Sequence, residues 1–345
     1  MDSTSPLSLH LPELLQLEAL IARGGSRLRS RVLTEVSVEG HSLPIWCVEM
    51  GNGSTDVPAV GYFGGVHGME RIGTQVLLAY LHSLVERLQW DVTLNAVLDK
   101  VRVIFVPMIN PGGLWLSTRS NPNGVDLMRN APVDAAGPVP FLVGGQRISK
   151  RLPWYRGEVS EPLQPEALAL FDVVRQTLHQ QPFSLAMDCH SGFGLQDRIW
   201  FPYARIDQPA PNLADAFAVS ALFNQTYPNH SYYIMEPQSV SYTTHGDLWD
   251  YLYDEYLETK KPGLFLPFTL EMGSWLWVKK NPRQLFSWVG HFNPILPHRL
   301  ERVLRRHITL FDFLLYAAAS HSNWVPQGDL REAYRTLGKE RWYRD

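Results

Sequence analysis

The sequence predicts an α/β fold: one domain with a central mixed, mostly parallel twisted sheet flanked by helices. Two observations carry that prediction. Almost wholly apolar runs of strand length alternate with longer segments of helical periodicity. Polar motifs stand just after several of those runs, where open α/β sheets place their ligands.

The elements follow in order. Residues 11–22 space Leu11, Leu14, Leu15, Leu17 and Ile21 as one helix face and end at Gly24 and Gly25. Residues 32–38 and 44–49 read as strands around the turn at Glu39 and Gly40. Residues 57–63 form a third strand that runs into Gly64 and Gly65, and helical spacing begins near Arg71 and lasts to Leu88. Residues 101–108 are almost wholly apolar, as expected of a strand covered on both faces. Residues 110–163 are rich in Gly, Pro and Asn and read as one irregular stretch, a length usually reserved for functional or disordered loops. Beyond it, helices are expected over 165–178, 213–223 and 300–319, and buried strands over 184–188 and 264–271.

Composition narrows the function. The chain has 345 residues, 45% hydrophobic and 19% charged, with a formal charge of −3, as in a folded globular protein. A nucleic-acid partner would call for a basic patch, and none is visible. No run approaches the roughly 18 apolar residues of a membrane span, and Met1 to His10 lacks the basic and apolar regions of a secretory signal. Cys47 and Cys189 are too few for a disulfide framework. The plain expectation is a cytoplasmic enzyme or binding protein with no nucleic-acid or membrane partner and an oligomeric state left open.

His67 and Glu70 form a His-x-x-Glu pair directly after a strand and a double glycine. Imidazole nitrogen and carboxylate oxygen both ligate zinc, and residues three apart on a turn can reach one ion. The spacing recurs at His10–Glu13 and His298–Glu301 without such a setting. His190, within Asp188-Cys189-His190-Ser191-Gly192, is the third candidate ligand, or else a histidine that caps the strand through a hydrogen bond. Three protein ligands leave a fourth position for water, as in catalytic zinc sites. Cys189 points away from the His190 side chain by strand alternation and reads as a buried inert thiol. Glu271, ending an apolar strand, is either a general base for a metal-bound water or a salt-bridged cap. Arg119 and Arg129 lie in the long loop and are either solvated or bind carboxylate and oxyanion. Tyr242 is a possible hydrogen-bond donor or an ordinary half-buried tyrosine.

Taken in order, these fragments resemble the zinc carboxypeptidase family of metallopeptidases. Residues 65–70 (Gly-Val-His-Gly-Met-Glu) are similar to its first zinc motif, and Asn110-Pro111-Gly112-Gly113 to its Asn-Pro-Asp-Gly turn. Arg119-x-Asn121 and residues 124–130 (Gly-Val-Asp-Leu-Met-Arg-Asn) resemble the next block, followed by Tyr155-x-Gly157 and Ser160-Glu161-Pro162. Asp188 to Ser191 falls where a third ligand belongs. Tyr242, Gly246, Asp250 and Tyr253 keep the spacing of the mobile-tyrosine segment, and Thr269-Leu270-Glu271-x-Gly273 resembles the glutamate strand.

The resemblance implies a phosphorylase/hydrolase-like catalytic domain over residues 11–320, after a tail of 1–10 and before an extension of 321–345. It implies one Zn2+ per chain on His67, Glu70 and His190, with Glu271 as general base and Arg119 at the oxyanion. Arg129 would hold the substrate carboxylate under Tyr242. The implied reaction is hydrolysis of a peptide or amide bond beside a free carboxylate, in ordinary C-termini, cell-wall fragments or γ-glutamyl bonds. An N-acyl-amino-acid hydrolase similar to aspartoacylase and succinylglutamate desuccinylase, or a peptide-binding pseudoenzyme, is the alternative. Three residues depart from the pattern. Met128 replaces an asparagine that assists the carboxylate-binding arginine. Gly192 stands where digestive members have an aromatic residue. Trp249, at the specificity position, implies a bulky pocket floor and a small or unusual leaving residue. With the domain beginning almost at once, no zymogen step is expected. The segment 132–153 reads as a lid, a dimer contact or a loop, and Trp275 and Trp277 as core residues.

Overall fold

The computed structural model describes residues 6–192 and 194–343. Eight strands form one sheet: β1 (Arg29–Val38), β2 (His41–Gly51), β3 (Ala59–Gly64), β4 (Arg102–Val106), β5 (Phe183–Gly192), β6 (Asp197–Phe201), β7 (Tyr233–Pro237) and β8 (Leu264–Gly273). Their order is β1-β2-β4-β3-β5-β8-β6-β7. The central four, β4-β3-β5-β8, run parallel, while β1, β2 and β6 bring in antiparallel pairs. The helices are α1 (Pro6–His10), α2 (Pro12–Gly24), α3 (Arg71–Arg87), α4 (Val92–Leu98), α5 (Pro111–Leu116), α6 (Pro165–Gln176), α7 (Leu213–Thr226), α8 (Leu248–Glu258), α9 (Trp275–Lys280), α10 (Pro297–Ala319) and α11 (Gly328–Trp342). The sequence thus predicted the α/β class with a mixed sheet correctly. Among the described residues no helix is long and apolar enough to cross a membrane.

The sheet is apolar on both faces because helices cover both. Along β5, Leu185, Met187 and Cys189 join one core with α3, α7, α10 and α11, while Ala186 joins the other with α6 and α8. Helix α3 forms because Ile72, Val76, Leu77, Tyr80, Leu81 and Leu84 recur on the buried side and no proline interrupts them. Residues 321–343 pack onto the same body: Trp342 of α11 stands edge-on to Phe201 of β6 with ring centroids 4.9 Å apart. Of the expected tail 1–10, residues 1–5 lie outside the described residues and the rest are α1. Trp277 is buried in the core, whereas Trp275 is 41% exposed.

Several elements differ from the sequence reading. Strand β5 runs to Gly192 rather than ending at Asp188, so His190 lies on the strand and not after it. Strands β6 and β7 and helix α4 emerge from segments too short to be periodic, whereas the sequence reading omits α8 although Leu248, Trp249, Leu252, Tyr253 and Tyr256 keep helical spacing. The irregular stretch contains α5 and one 3-10 turn over Leu127–Arg129.

His307 of α10 is fully buried, and burial, with Arg306 beside it, pushes its imidazole down to about 4 despite Asp197. His179 is lowered to about 4 for the same principal reason. Between those values and the ~6.5 of a free imidazole, the unfolded chain binds more protons than the folded one. Stability is therefore complete above pH 6.5 and falls as pH drops toward 4, by up to about 3 kcal/mol for the His307 site. Urea titrations at pH 7, 5.5 and 4.5 should show this slope, and His307→Leu should flatten it. An unchanged slope in that variant would assign the effect elsewhere.

Candidate metal centre and active site

The chain leaves β3 through Gly64 and Gly65 and makes a tight turn before α3. Gly68 is required there: a Cβ would lie 1.8 Å from the Gly113 carbonyl carbon. Asn110 fastens the turn by accepting from Gly113 N at 2.8 Å and donating to the Val66 carbonyl at 3.0 Å. This turn presents His67 and Glu70, both buried, toward β5. Glu13 of the His10–Glu13 pair instead accepts from Arg71 at 2.7 Å and ties α2 to α3.

His67, Glu70 and His190 converge, with one ligand atom from each within 4.8 Å of the others. His67 Nδ1 is 2.9 Å from Glu70 Oε1, His190 Nδ1 is 3.2 Å from Glu70 Oε2, and the two Nδ1 atoms are 3.3 Å apart. Each imidazole is held at its far nitrogen by a buried carboxylate. His67 Nε2 is 3.0 Å from Asp126 Oδ1, and His190 Nε2 is 2.8 Å from Asp188 Oδ2. Carboxylates accept only, so each Nε2 carries the proton and both Nδ1 lone pairs face inward. Three acceptors aimed at one point repel unless a cation sits among them, so this donor set fits a divalent metal of the zinc type. Burial opposes ionisation of Glu70, but when the imidazoles are protonated instead, their charge outweighs that cost and holds its carboxyl well below the usual range.

Asp126 does more than hold His67. It caps the turn by accepting from Met128 N at 3.1 Å, and its other oxygen accepts from Arg119 Nε at 2.8 Å. Burial pushes its carboxyl up, but Arg119 and His67 overcome that and hold it far below the usual range. Arg119 Nη1 lies 3.4 Å from Glu70 Oε1, so this guanidinium stands beside the metal site. Asp126 and Asp188 were missed in the sequence. Asp-x-His on one strand was the available signal for Asp188, because residues two apart share a face.

Glu271 is the register partner of His190 on the neighbouring parallel strand β8, so both project from the same sheet face. Burial and the Glu70 carboxylate push its pKa up to about 8. Gly192 leaves space for it, since a Cβ there would lie 2.1 Å from Glu271 Oε1. The glycine that departs from the digestive pattern is thus matched to this placement of the glutamate.

A cavity of about 500 Å³ joins these groups, with His67, Glu70, Arg119, Met128, Arg129, His190, Tyr242 and Glu271 on its walls. Arg129 is buried, donating from Nε to the Val143 carbonyl at 3.2 Å and from Nη1 to Met128 O at 3.1 Å. Burial raises the Tyr242 phenol while Arg129 lowers it, and the net direction is up. Its ring stands edge-on to Trp200, with centroids 5.9 Å apart. The 132–153 segment is part of the cavity wall: Val143 lines it, and Gly144 O accepts from His245 N at 2.8 Å, near Tyr242.

One expectation is corrected. Trp249 does not line this cavity among the described residues; it is buried behind the wall, beside a small adjoining void that shares Trp200, Gln238 and Thr269 with the cavity. Asp247 caps the start of α8 and turns the indole inward against Phe63, where Nε1 donates to Asp188 Oδ2 at 2.9 Å. Trp249 supports a metal ligand through Asp188. The residues that do shape the cavity beside Glu271 are Gln196, Arg198 and Trp200 of the β6 edge, which the sequence reading did not single out.

The comparisons agree with this geometry. The family model described as zinc carboxypeptidase matches residues 21–274. The chain is 31% identical over 99 residues to Carboxypeptidase SOL1 of Arabidopsis thaliana, covering 28% of this chain and 20% of that protein. It is 29% identical over 172 residues to Carboxypeptidase E of Caenorhabditis elegans, covering 45% of this chain and 35% of that one. The chain thus spans about a third or less of the length of these relatives. The fold is similar to that of thrombin activatable fibrinolysis inhibitor (TM-score 0.66, 19% identity), covering 92% of this chain and 78% of that one. This chain belongs to the zinc carboxypeptidase family.

Trp249→Phe keeps the ring but deletes the N–H that Asp188 accepts. Zinc affinity, measured by competition with a chelating dye, should fall about 10-fold or more, and preference among C-terminal residues should not change. A changed preference with intact zinc affinity would return Trp249 to the pocket. His190→Ala should lose most of the metal.

Proposed function

We propose that this protein is a zinc-dependent carboxypeptidase that hydrolyses a peptide or peptide-like amide bond next to a free carboxylate. The observation that carries this is the common wall of one cavity: a His67–Glu70–His190 cluster, with Glu271 in register beside His190 and Arg119 braced against Glu70. One zinc per chain, on those three ligands, would supply Lewis acidity and a water acidified to near neutral pH.

The chain's own residues do the rest. Glu271 takes the proton of the attacking water and delivers it to the leaving amine. Burial and the Glu70 carboxylate raise this carboxyl, and a cation held on Glu70 would offset the second of these and favour the ionised form that a base needs. Arg119, fixed by Asp126 and Glu70, faces the carbonyl oxygen on which charge develops and needs little reorganisation there. Arg129, held by the Val143 and Met128 carbonyls and facing the cavity beside Tyr242, receives the substrate carboxylate. Tyr242, next to Arg129, closes over it.

Glu271→Gln should abolish turnover of C-terminally varied peptides, detected by mass spectrometry, with zinc kept near one per chain. Retained turnover would remove Glu271 as base. Met128 lines the cavity beside Arg129, and Met128→Asn adds a donor there. KM for simple peptides should drop several-fold while kcat stays within about 2-fold, consistent with an added ground-state contact. An unchanged KM would place the carboxylate away from Arg129.

A further inference from the structure

Among the described residues, Arg198 is the one cationic side chain on the cavity wall that neither the candidate metal site nor the proposed reaction uses. It lies on β6 directly opposite Glu271 of β8, and Trp200 lies opposite Thr269. Register partners project from one face of a sheet, so Glu271, Arg198, Thr269 and Trp200 tile one side of the cavity.

The guanidinium is held from behind. Its Nη1 pairs with Glu236 of β7, whose Oε1 also accepts from Ser241 Oγ at 3.1 Å and from Trp200 Nε1 at 3.4 Å. The Arg198 side chain is 35% exposed and that of Glu236 only 12%, so the cation faces the cavity and the anion sits below it. Glu236 is itself absent from the cavity wall. Nε and Nη2 of Arg198 have no hydrogen-bond partner among the described residues, which leaves one edge of the fork for a bidentate carboxylate. The charges on the wall agree. Arg119, Arg129 and Arg198 face Glu70 and Glu271, and a divalent ion would make the site more positive still.

We propose that Arg198 determines specificity for a leaving residue with a carboxylate side chain, aspartate or glutamate. Its main-chain carboxylate goes to Arg129 and its side-chain carboxylate to Arg198. This rests on the carboxypeptidase reading and names the substrate class of that site. Trp200 and the Arg198 stem supply the apolar wall for the intervening methylenes, and Glu236 keeps the guanidinium in place. A basic leaving residue meets like charge, and a neutral one leaves the fork unpaired.

The test uses the zinc-loaded full chain and N-acylated dipeptides that end in Glu, Asp, Gln, Leu or Lys. In parallel, calorimetry measures binding of free glutamate and free glutamine. The expected result is kcat/KM at least about 10-fold higher for Glu or Asp than for Gln, from charge-assisted hydrogen bonds. Arg198→Gln should erase that ratio and the preference for binding glutamate, and Arg198→Lys, which keeps the charge without the fork, should restore part of both. Equal rates for Glu and Gln would overturn the acid subsite and leave the carboxypeptidase reading standing. No release from any peptide, with glutamate binding that Arg198→Gln abolishes, would overturn the carboxypeptidase reading and sustain the subsite. Absence of both would overturn the two together.

Discussion

The site depends on the register of three parallel strands. Phe63 of β3 pairs with Asp188 of β5, which pairs with Thr269 of β8. One step along the metal-facing side, His190 meets Glu271, while β3 has already given way to the turn that carries His67 and Glu70. Parallel strands do not slip by one residue without turning every side chain to the opposite face. The buried apolar pattern of the sheet therefore fixes the distance between the third ligand and the carboxylate beside it. A shift would place Cys189, not His190, toward Glu70.

That precision concentrates ionisable groups where water is scarce. Glu70, Asp126, Asp188 and Arg129 are all at most 5% exposed, an arrangement that costs free energy unless the charges are paired. Asp126 and Arg119 form one pair, and each histidine is clamped between a carboxylate outside and Glu70 inside. Asp188 accepts from His190 and Trp249 through one oxygen, and its other oxygen lacks a hydrogen-bond partner among the described residues. Interlocked charges of this kind stabilise one arrangement more than they stabilise the fold. Removing a single member leaves its neighbour buried and unpaired, so the cluster rewards a complete set. A cation among the three acceptors completes it.

The central strands and the long helices were legible in the sequence because each is a buried or amphipathic run of five or more residues. The candidate ligands His67, Glu70 and His190 and the candidate base Glu271 were legible because they stand at the ends of those runs, in short contiguous motifs. The two outermost strands on one side, β6 and β7, were not. Each is five residues long and carries charge, at Arg198 and Glu236, and exists through its pairing, β6 on β8 and β7 on β6. The supports Asp126 and Asp188 were in plain view inside recognised motifs, yet their partners lie 59 and 2 positions away. Only the folded chain shows which imidazole each carboxylate holds. The extension of β5 past Asp188 was hidden because polar His190 and Ser191 are buried, which hydrophobic patterning reads as the end of a strand.

Trp249 shows why specificity is harder to read than chemistry. Spacing from Tyr242 places it at the pocket, but spacing says nothing about rotation. The side chain of Asp247 accepts from the backbone N–H groups of Trp249 and Asp250 and so sets where the first turn of α8 begins. With the helix phase set there, the indole packs against Phe63 and meets Asp188. Large aromatic rings with one N–H are stable where the ring is buried and the donor has a partner, and Asp188 offers that partner. The pocket wall then falls to the next strand outward from Glu271, where Arg198 and Trp200 alternate toward the cavity. The proposed catalytic groups are tied to the rigid parallel centre of the sheet, while the cavity wall with Arg198 and Trp200 is built on the strand antiparallel to β8. Under the proposed reading, substrate choice can change through β6 and β7 without disturbing the register that holds the candidate metal ligands.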